Sequence, residues 1–367
     1  MSPYVGLRFA VKRPLPGVRH LEFPGTGPGG GGSDMAFHFL RFQEHYESPG
    51  FKGRIFTWAE YVRWYRSVRG AFTYAEDWGG FNFPGAVLEP FRRGAFAPLT
   101  PRENSVLRVL SDVRPWAYVI GTWAGDEAAL RHELAHAVWH LEPEYRNRVR
   151  AILADADLSR QCALLAEGEG YDASVYLDEI QACAIEGAEE CAPDLGRRKA
   201  ILEAFGDSLE KLKRLGEMGL ELRFQALERV YSDARYSLTT PLGELEPRVG
   251  KALPEAAAVL AAWGVPRIYG LTAYHPGSVL RAVDENRLEH SRLKERLEAS
   301  GARVLGSGVA RDPEGHWPEE PLWIAAGLEE FHIAQLLREF GQTAGLMVEW
   351  VGNKGGDGFI ATRLIWA

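Results

Sequence analysis

Gly125-Asp126-Glu127-Ala128-Ala129-Leu130-Arg131-His132-Glu133-Leu134-Ala135-His136 is the stretch on which the reading of this chain turns. No Pro or Gly interrupts the run from Glu127 to Leu141, and Asp126 stands where a helix takes its N-cap. The stretch therefore predicts a helix carrying H-E-x-x-H. Side chains four apart share a helix face, so His132 and His136 can reach one metal ion. Glu133 is one position away, where its carboxylate can hold a water beside that ion. Catalytic zinc takes three protein ligands and leaves a position for water, so a third ligand is needed. His140 continues the four-residue series, but its Cα lies about 12 Å along the helix axis from that of His132. With zinc–nitrogen bonds of about 2.0–2.1 Å, an unbroken helix does not bring all three histidines to one ion. No Gly follows His136 to turn the chain, so His140 belongs beside the site or on the surface.

A second stretch, Tyr176-Leu177-Asp178-Glu179-Ile180-Gln181-Ala182-Cys183, supplies the candidate. Together the two stretches resemble the gluzincin metallopeptidases, in which a later helix carries the third ligand as Glu-x-x-Ala or Glu-x-x-Ser. Glu179 to Ala182 has that form. The resemblance implies Zn²⁺ on His132, His136 and Glu179, with Glu133 as general base and Asp178 or another carboxylate orienting a histidine. Glu142, Glu144, Asp155 and Asp157 are weaker rivals, close in sequence or on a connecting helix. Related enzymes stabilise the oxyanion with a Tyr or His; Tyr145, Tyr171 and Tyr176 are candidates here, and Tyr176 is preferred because it precedes Glu179 on one element.

The flanking segments frame this site. Trp116 to Trp123 is rich in β-branched and aromatic residues and reads as a strand feeding the metal helix. By analogy with zincins it is an edge strand that binds substrate backbone by strand addition. Residues 35–115 are dense in aromatics, with helices expected at Trp58–Val68 and Pro101–Asp112 behind the caps Thr57 and Thr100. Between them, Asp77 to Gly85 reads as an aromatic, Gly-rich loop, either shaping a cleft or closing a satellite core. After the motif, helices are expected over Pro143–Ala156, from Glu179 to about Glu190, and over Arg197–Tyr236 with interruptions near Gly216 and Gly219.

The 367 residues allow two or three domains, and 46% apolar with 25% charged residues is ordinary for a globular protein. A net charge of −8 argues against a dedicated nucleic-acid binder. Cys162, Cys183 and Cys191 form no C-x-x-C pair, so free thiols and a reducing cytoplasm are expected. No apolar run suits a membrane span, and no signal-peptide core is visible. Residues 1–34, with basic residues, Pro and a Gly-rich tract, read as a flexible leader.

Prolines 241, 247, 254 and 266 punctuate a linker over 237–266. Beyond it, residues 267–367 read as a small α+β unit. Thr272-Ala273-Tyr274-His275-Pro276-Gly277-Ser278, Glu285-Asn286, Gly315-His316-Trp317-Pro318-Glu319-Glu320 and Phe340-Gly341-Gln342 resemble the DUF3293 family, a small bacterial domain of unknown function. Its polar set Tyr274, Asn286, Glu319 and Gln342 either lines a pocket or serves turns and caps. The expected fold is α+β: a mainly helical zincin-like domain over 35–236 with a small edge sheet, then the C-terminal α+β domain. The expected function is a zinc-dependent peptidase acting on a peptide or protein. The alternative is a non-catalytic metal-containing interaction or sensor protein whose C-terminal domain binds a partner.

Overall fold

Tyr118 to Trp123 forms a strand buried along its whole length, and the helix that follows packs on its face. The computed structural model describes residues 9–25, 33–48, 50–169, 171, 173–352 and 358–366. It is α+β, with two sheets in two compact units, Met1–Glu221 and Leu222–Ala367.

The strands of the first unit are β1 (Ala10–Lys12), β2 (Val18–Phe23), β3 (Gly80–Pro84) and β4 (Tyr118–Trp123), in the order β1-β2-β4-β3. Only β2 and β4 run parallel. Around them stand α1 (Ser33–Glu47), α2 (Trp58–Arg69), α3 (Tyr74–Asp77), α4 (Leu88–Arg92), α5 (Pro101–Val109), α6 (Glu127–Leu141), α7 (Pro143–Leu153), α8 (Ser159–Ala163) and α9 (Tyr176–Glu186). The long α10 (Leu195–Asp233) contains the unit boundary. Thr57 and Thr100 each close a capping box, with Glu60 and Glu103 as reciprocal partners. Arg41 of α1 forks onto the Glu103 carboxylate at 2.5 and 2.6 Å, a fully buried pair whose remaining donors reach the carbonyls of Phe56, Phe96 and Pro98.

Several sequence expectations are corrected here. Residues 10–12 and 18–23 are not a flexible leader but strands, and Val18 and Leu21 are fully buried. The strand is hidden in the sequence because its partner is distant: Val18 pairs with Tyr118. Arg19 sits buried within it because Glu217 and Asp112 accept its guanidinium protons. Residues 1–8 and 26–32 of the expected leader lie outside the described residues. The loop expected at Asp77–Gly85 contains β3, whose Phe81 and Phe83 stack on Phe39 and Phe42 of α1, so these aromatics are core. β4 is an interior strand, lying between β2 and β3, so it offers no free edge for strand addition.

The α9 helix stops at Gly187, not near Glu190, because Gly187 takes the left-handed conformation (φ 107°) that reverses the chain. That reversal carries Cys191 back to Cys183, and the two form a disulfide where free thiols were expected. Cys162 remains a thiol. Gly216, at φ 70° and ψ 173°, breaks α10 as its position suggested.

In the second unit, β5 (Arg235–Thr240), β6 (Gly243–Leu245), β7 (Arg267–Leu271), β8 (Arg303–Arg311), β9 (Glu320–Ala326), β10 (Ala344–Gly352) and β11 (Gly358–Trp366) form one antiparallel sheet, ordered β11-β10-β7-β9-β8-β5-β6. One face packs on α11 (Ala256–Trp263) through Leu238, Leu260 and Ile324. The other packs on α12 (Val283–Ala299) and α13 (Glu330–Glu339) through Tyr269, Leu293 and Leu336. Ile268 and Tyr269 go to opposite faces, as strand alternation requires. The stretch 237–266 is therefore not a linker: β5, β6 and α11 belong to this sheet unit, and its prolines stand at the turns between them. Among the described residues, no helix is long and apolar enough to cross a membrane.

Candidate metal centre

Asp126 caps α6 by accepting from the Ala129 amide at 3.0 Å, which starts the helix one residue before Glu127. The helix then presents His132 and His136 on the face turned to α9. Their Nε2 atoms lie 3.1 Å apart. From α9, Glu179 brings Oε2 to 3.6 Å from His132 Nε2 and 3.7 Å from His136 Nε2. The three form the described cluster whose donor atoms all lie within 4.8 Å of one another. Two donors bound tetrahedrally at 2.0–2.1 Å stand about 3.4 Å apart, so this triangle has the size that zinc requires.

The other ring nitrogens are also engaged. His136 Nδ1 donates to Asp178 Oδ1 at 2.8 Å, and His132 Nδ1 donates to Glu186 Oε2 at 2.9 Å. Each bond fixes a ring so that Nε2 is left for the centre. Asp178 also accepts from Gln181 Nε2 at 3.0 Å, and Gln181 Oε1 accepts from the Tyr145 hydroxyl at 2.6 Å. The chain Tyr145–Gln181–Asp178–His136 thus ties α7 and α9 to the motif.

Electrostatics follow from this crowding. Burial opposes a charge on His136, but the carboxylates of Asp178 and Glu179 outweigh it and carry the imidazole up to about 9. His132 is half-buried, and against the desolvation that would lower it, hydrogen bonds to Glu179 and Glu186 raise it well above its ordinary value. Glu179 moves the other way: burial would raise it, yet the His136 and His132 charges hold it below the usual carboxylate range. Glu133 is raised by burial, with the two histidines only partly opposing. A divalent cation held there would add positive charge beside the same carboxylates.

Glu133 faces a cavity of about 30 Å³, enough for a water and too small for a peptide. Among the described residues its Oε2 is buried without a hydrogen-bond partner, an orphaned acceptor beside polar space. Opposite stand Glu44 and Glu47 of α1. Burial pushes the Glu44 carboxyl up to about 7, and burial followed by the Glu179 charge pushes Glu47 well above its ordinary range. Gln43 donates to Glu47 at 2.6 Å and accepts the Asn82 amide of β3 at 2.9 Å. That bond occupies an outward amide of β3, so this strand too is not free for an added chain at Asn82.

Of the residues picked from sequence, His132, His136, Glu179 and Glu133 converge. Asp178 orients His136. His140 faces away, at 3.0 Å from the Trp116 carbonyl, and Cys183 is committed to its disulfide. Tyr176 opens α9 ahead of Glu179 and is not among the described residues that line this small cavity. Tyr171 lines the cavity instead, against Trp78 with ring centroids 6.0 Å apart. Sequence reasoning passed over Glu186, although it lies two turns from Glu179 on one helix face. It also passed over Glu44 and Glu47, a carboxylate pair one turn apart in an aromatic segment.

The family described as a protein of unknown function (DUF3293) matches residues 271–344, within the second unit. No curated protein and no solved structure matches the chain.

Proposed function

We propose that the first unit is a zinc-dependent hydrolase, a peptidase of gluzincin-like chemistry. The observation that carries this reading is the convergence of His132, His136 and Glu179 beside Glu133, whose Oε2 is buried and has no partner among the described residues. Zinc bound there would act as a Lewis acid and make water acidic near neutral pH. The other tasks fall to this chain's own side chains. Glu133, its oxygen in the water-sized cavity, takes a proton from the attacking water and passes it to the leaving amine. Asp178 and Glu186 keep the imidazoles in the tautomer that leaves Nε2 free. Trp78 and Tyr171 stand in the cavity wall. A closed four-ligand structural site with His140 or Cys183 draws no support, since both side chains are committed elsewhere.

The test is a peptide library incubated with zinc-loaded wild type and with Glu133→Gln, read by mass spectrometry for new termini. Cleavage by wild type alone is expected. Identical libraries after both incubations would overturn the peptidase reading.

A further inference from the structure

The second unit encloses a cavity of about 550 Å³, within the range of small-molecule sites. Its wall is largely apolar, with Val230, Leu322 and Leu346 among the lining residues. A few polar groups converge on it: Thr272, His275, Ser278, Gln342 and Glu320. His275 (φ 49°) and Ser278 (φ 58°) are the non-glycine residues with left-handed backbone among the described residues, and both line this space. Such conformations cost energy and persist where surrounding structure enforces them, often at ligand sites. Here the enforcing contacts are visible. Asn286 Oδ1 accepts the His275 amide at 2.9 Å, and the Arg281 amide donates to His275 Nδ1 at 3.1 Å. Of the DUF3293-like polar set, Gln342 lines the cavity and Asn286 supports it from behind. Glu319 instead holds Arg311 at 2.7 Å.

Glu320 is the distinctive group. Its Oε1 accepts the Trp317 indole N–H at 2.7 Å, and the phenols of Tyr231 and Tyr236 lie close enough to feel its charge. Burial pushes its carboxyl up to about 7, and among the described residues no Lys, Arg or His forms an ion pair with it. We propose that this cavity binds a small organic cation, an ammonium or guanidinium on an apolar body, with Glu320 as counter-ion and Trp317, Tyr231 and Tyr236 as aromatic walls. A half-buried carboxylate beside apolar walls gains from a cation that its neighbours do not supply. Aromatic faces attract the same charge. An anionic ligand would meet Glu320 inside and Asp233, Asp312 and Glu314 around it, against two guanidinium groups, Arg229 and Arg311, of which Arg311 is already held by Glu319. A neutral ligand would leave the carboxylate with the Trp317 hydrogen bond and no opposite charge.

The full-length protein is titrated calorimetrically with three probes of one shape: phenethylammonium, 2-phenylethanol and 3-phenylpropionate. The cation is expected to bind at least about tenfold more tightly than either of the others, a gap of about 1.4 kcal/mol. Glu320→Gln, checked for an unchanged fold by its amide NMR spectrum, is expected to lose that preference. The ranking of probes on wild type stands by itself if the variant does not fold. No binding of phenethylammonium, equal or tighter binding of the alcohol or the acid, or undiminished cation binding by a folded Glu320→Gln would overturn the proposal.

Discussion

The carboxylate of Glu133 occupies the space that a β-carbon on residue 80 would fill, and residue 80 is glycine. The backbone of Gly80 is in a conformation open to any residue, so a methyl group there would displace the flexible Glu133 end and leave the strand in place. Gly80→Ala is therefore expected to keep its fold and its zinc, and to lose at least about tenfold in turnover by moving the base. Circular dichroism, elemental analysis and a cleavage assay on one preparation check this. Unchanged turnover would mean that Glu133 does not act from this position.

Removing the base function while preserving shape separates binding from chemistry. Glu133→Gln should retain metal and lose about 10²–10⁴-fold in turnover, the usual range for general acid–base catalysis. Metal content beside the rate of peptide cleavage is the measurement. Loss of metal in the variant would reassign Glu133 as a ligand.

Asp178 acts through His136, and its loss should appear in affinity. Asp178→Asn is expected to weaken zinc binding by about 10–100-fold in competition with a chromophoric chelator, with the fold retained. Glu186→Gln should have the smaller effect, because the Glu186 side chain is 31% exposed and that of Asp178 is 12% exposed. The reverse order would contradict the weight given to the Tyr145–Gln181–Asp178 chain.

The second unit carries its own pH dependence in His290. Its Nδ1 accepts the Ala273 amide at 3.4 Å, its ring stacks on Trp323 with centroids 5.0 Å apart, and burial lowers it to about 4. Its folded value lies below the unfolded value of about 6.5, so protons favour the unfolded chain. The stabilisation is present above pH ~6.5 and is lost as pH falls towards 4, with a full size on the order of 3 kcal/mol. Denaturant titrations at pH 7 and 4.5, wild type beside His290→Asn, isolate the contribution. An equal pH response in both would remove His290 as its source.

The His132–His136–Glu179 cluster was legible in the sequence because two of its members sit at a fixed helical step. His132 and His136 declare themselves by a four-residue spacing, and Glu179 by its place in Glu-x-x-Ala. The pairing of β2 with β4 was not legible, since Val18 meets Tyr118 across a hundred residues and Arg19 disguises the strand until Glu217 is seen beside it. The Cys183–Cys191 disulfide depends on the reversal at Gly187, which spacing alone does not reveal. Tyr176 adjoins Glu179 along the chain, and Tyr171, a candidate beside it, lines the cavity. The cavity of the second unit draws on α10, β5, β7, β9 and the loops between them, so only fragments such as Gln342 and Asn286 could be picked out beforehand.

The central claim is that His132, His136 and Glu179 together hold one zinc ion. It is tested most directly by elemental analysis of the purified protein, wild type beside Glu179→Ala, after reloading with zinc and removal of excess metal. One zinc per chain in wild type, lost or greatly weakened in the variant, is the predicted result. No zinc in wild type, or full retention by the variant, would contradict it.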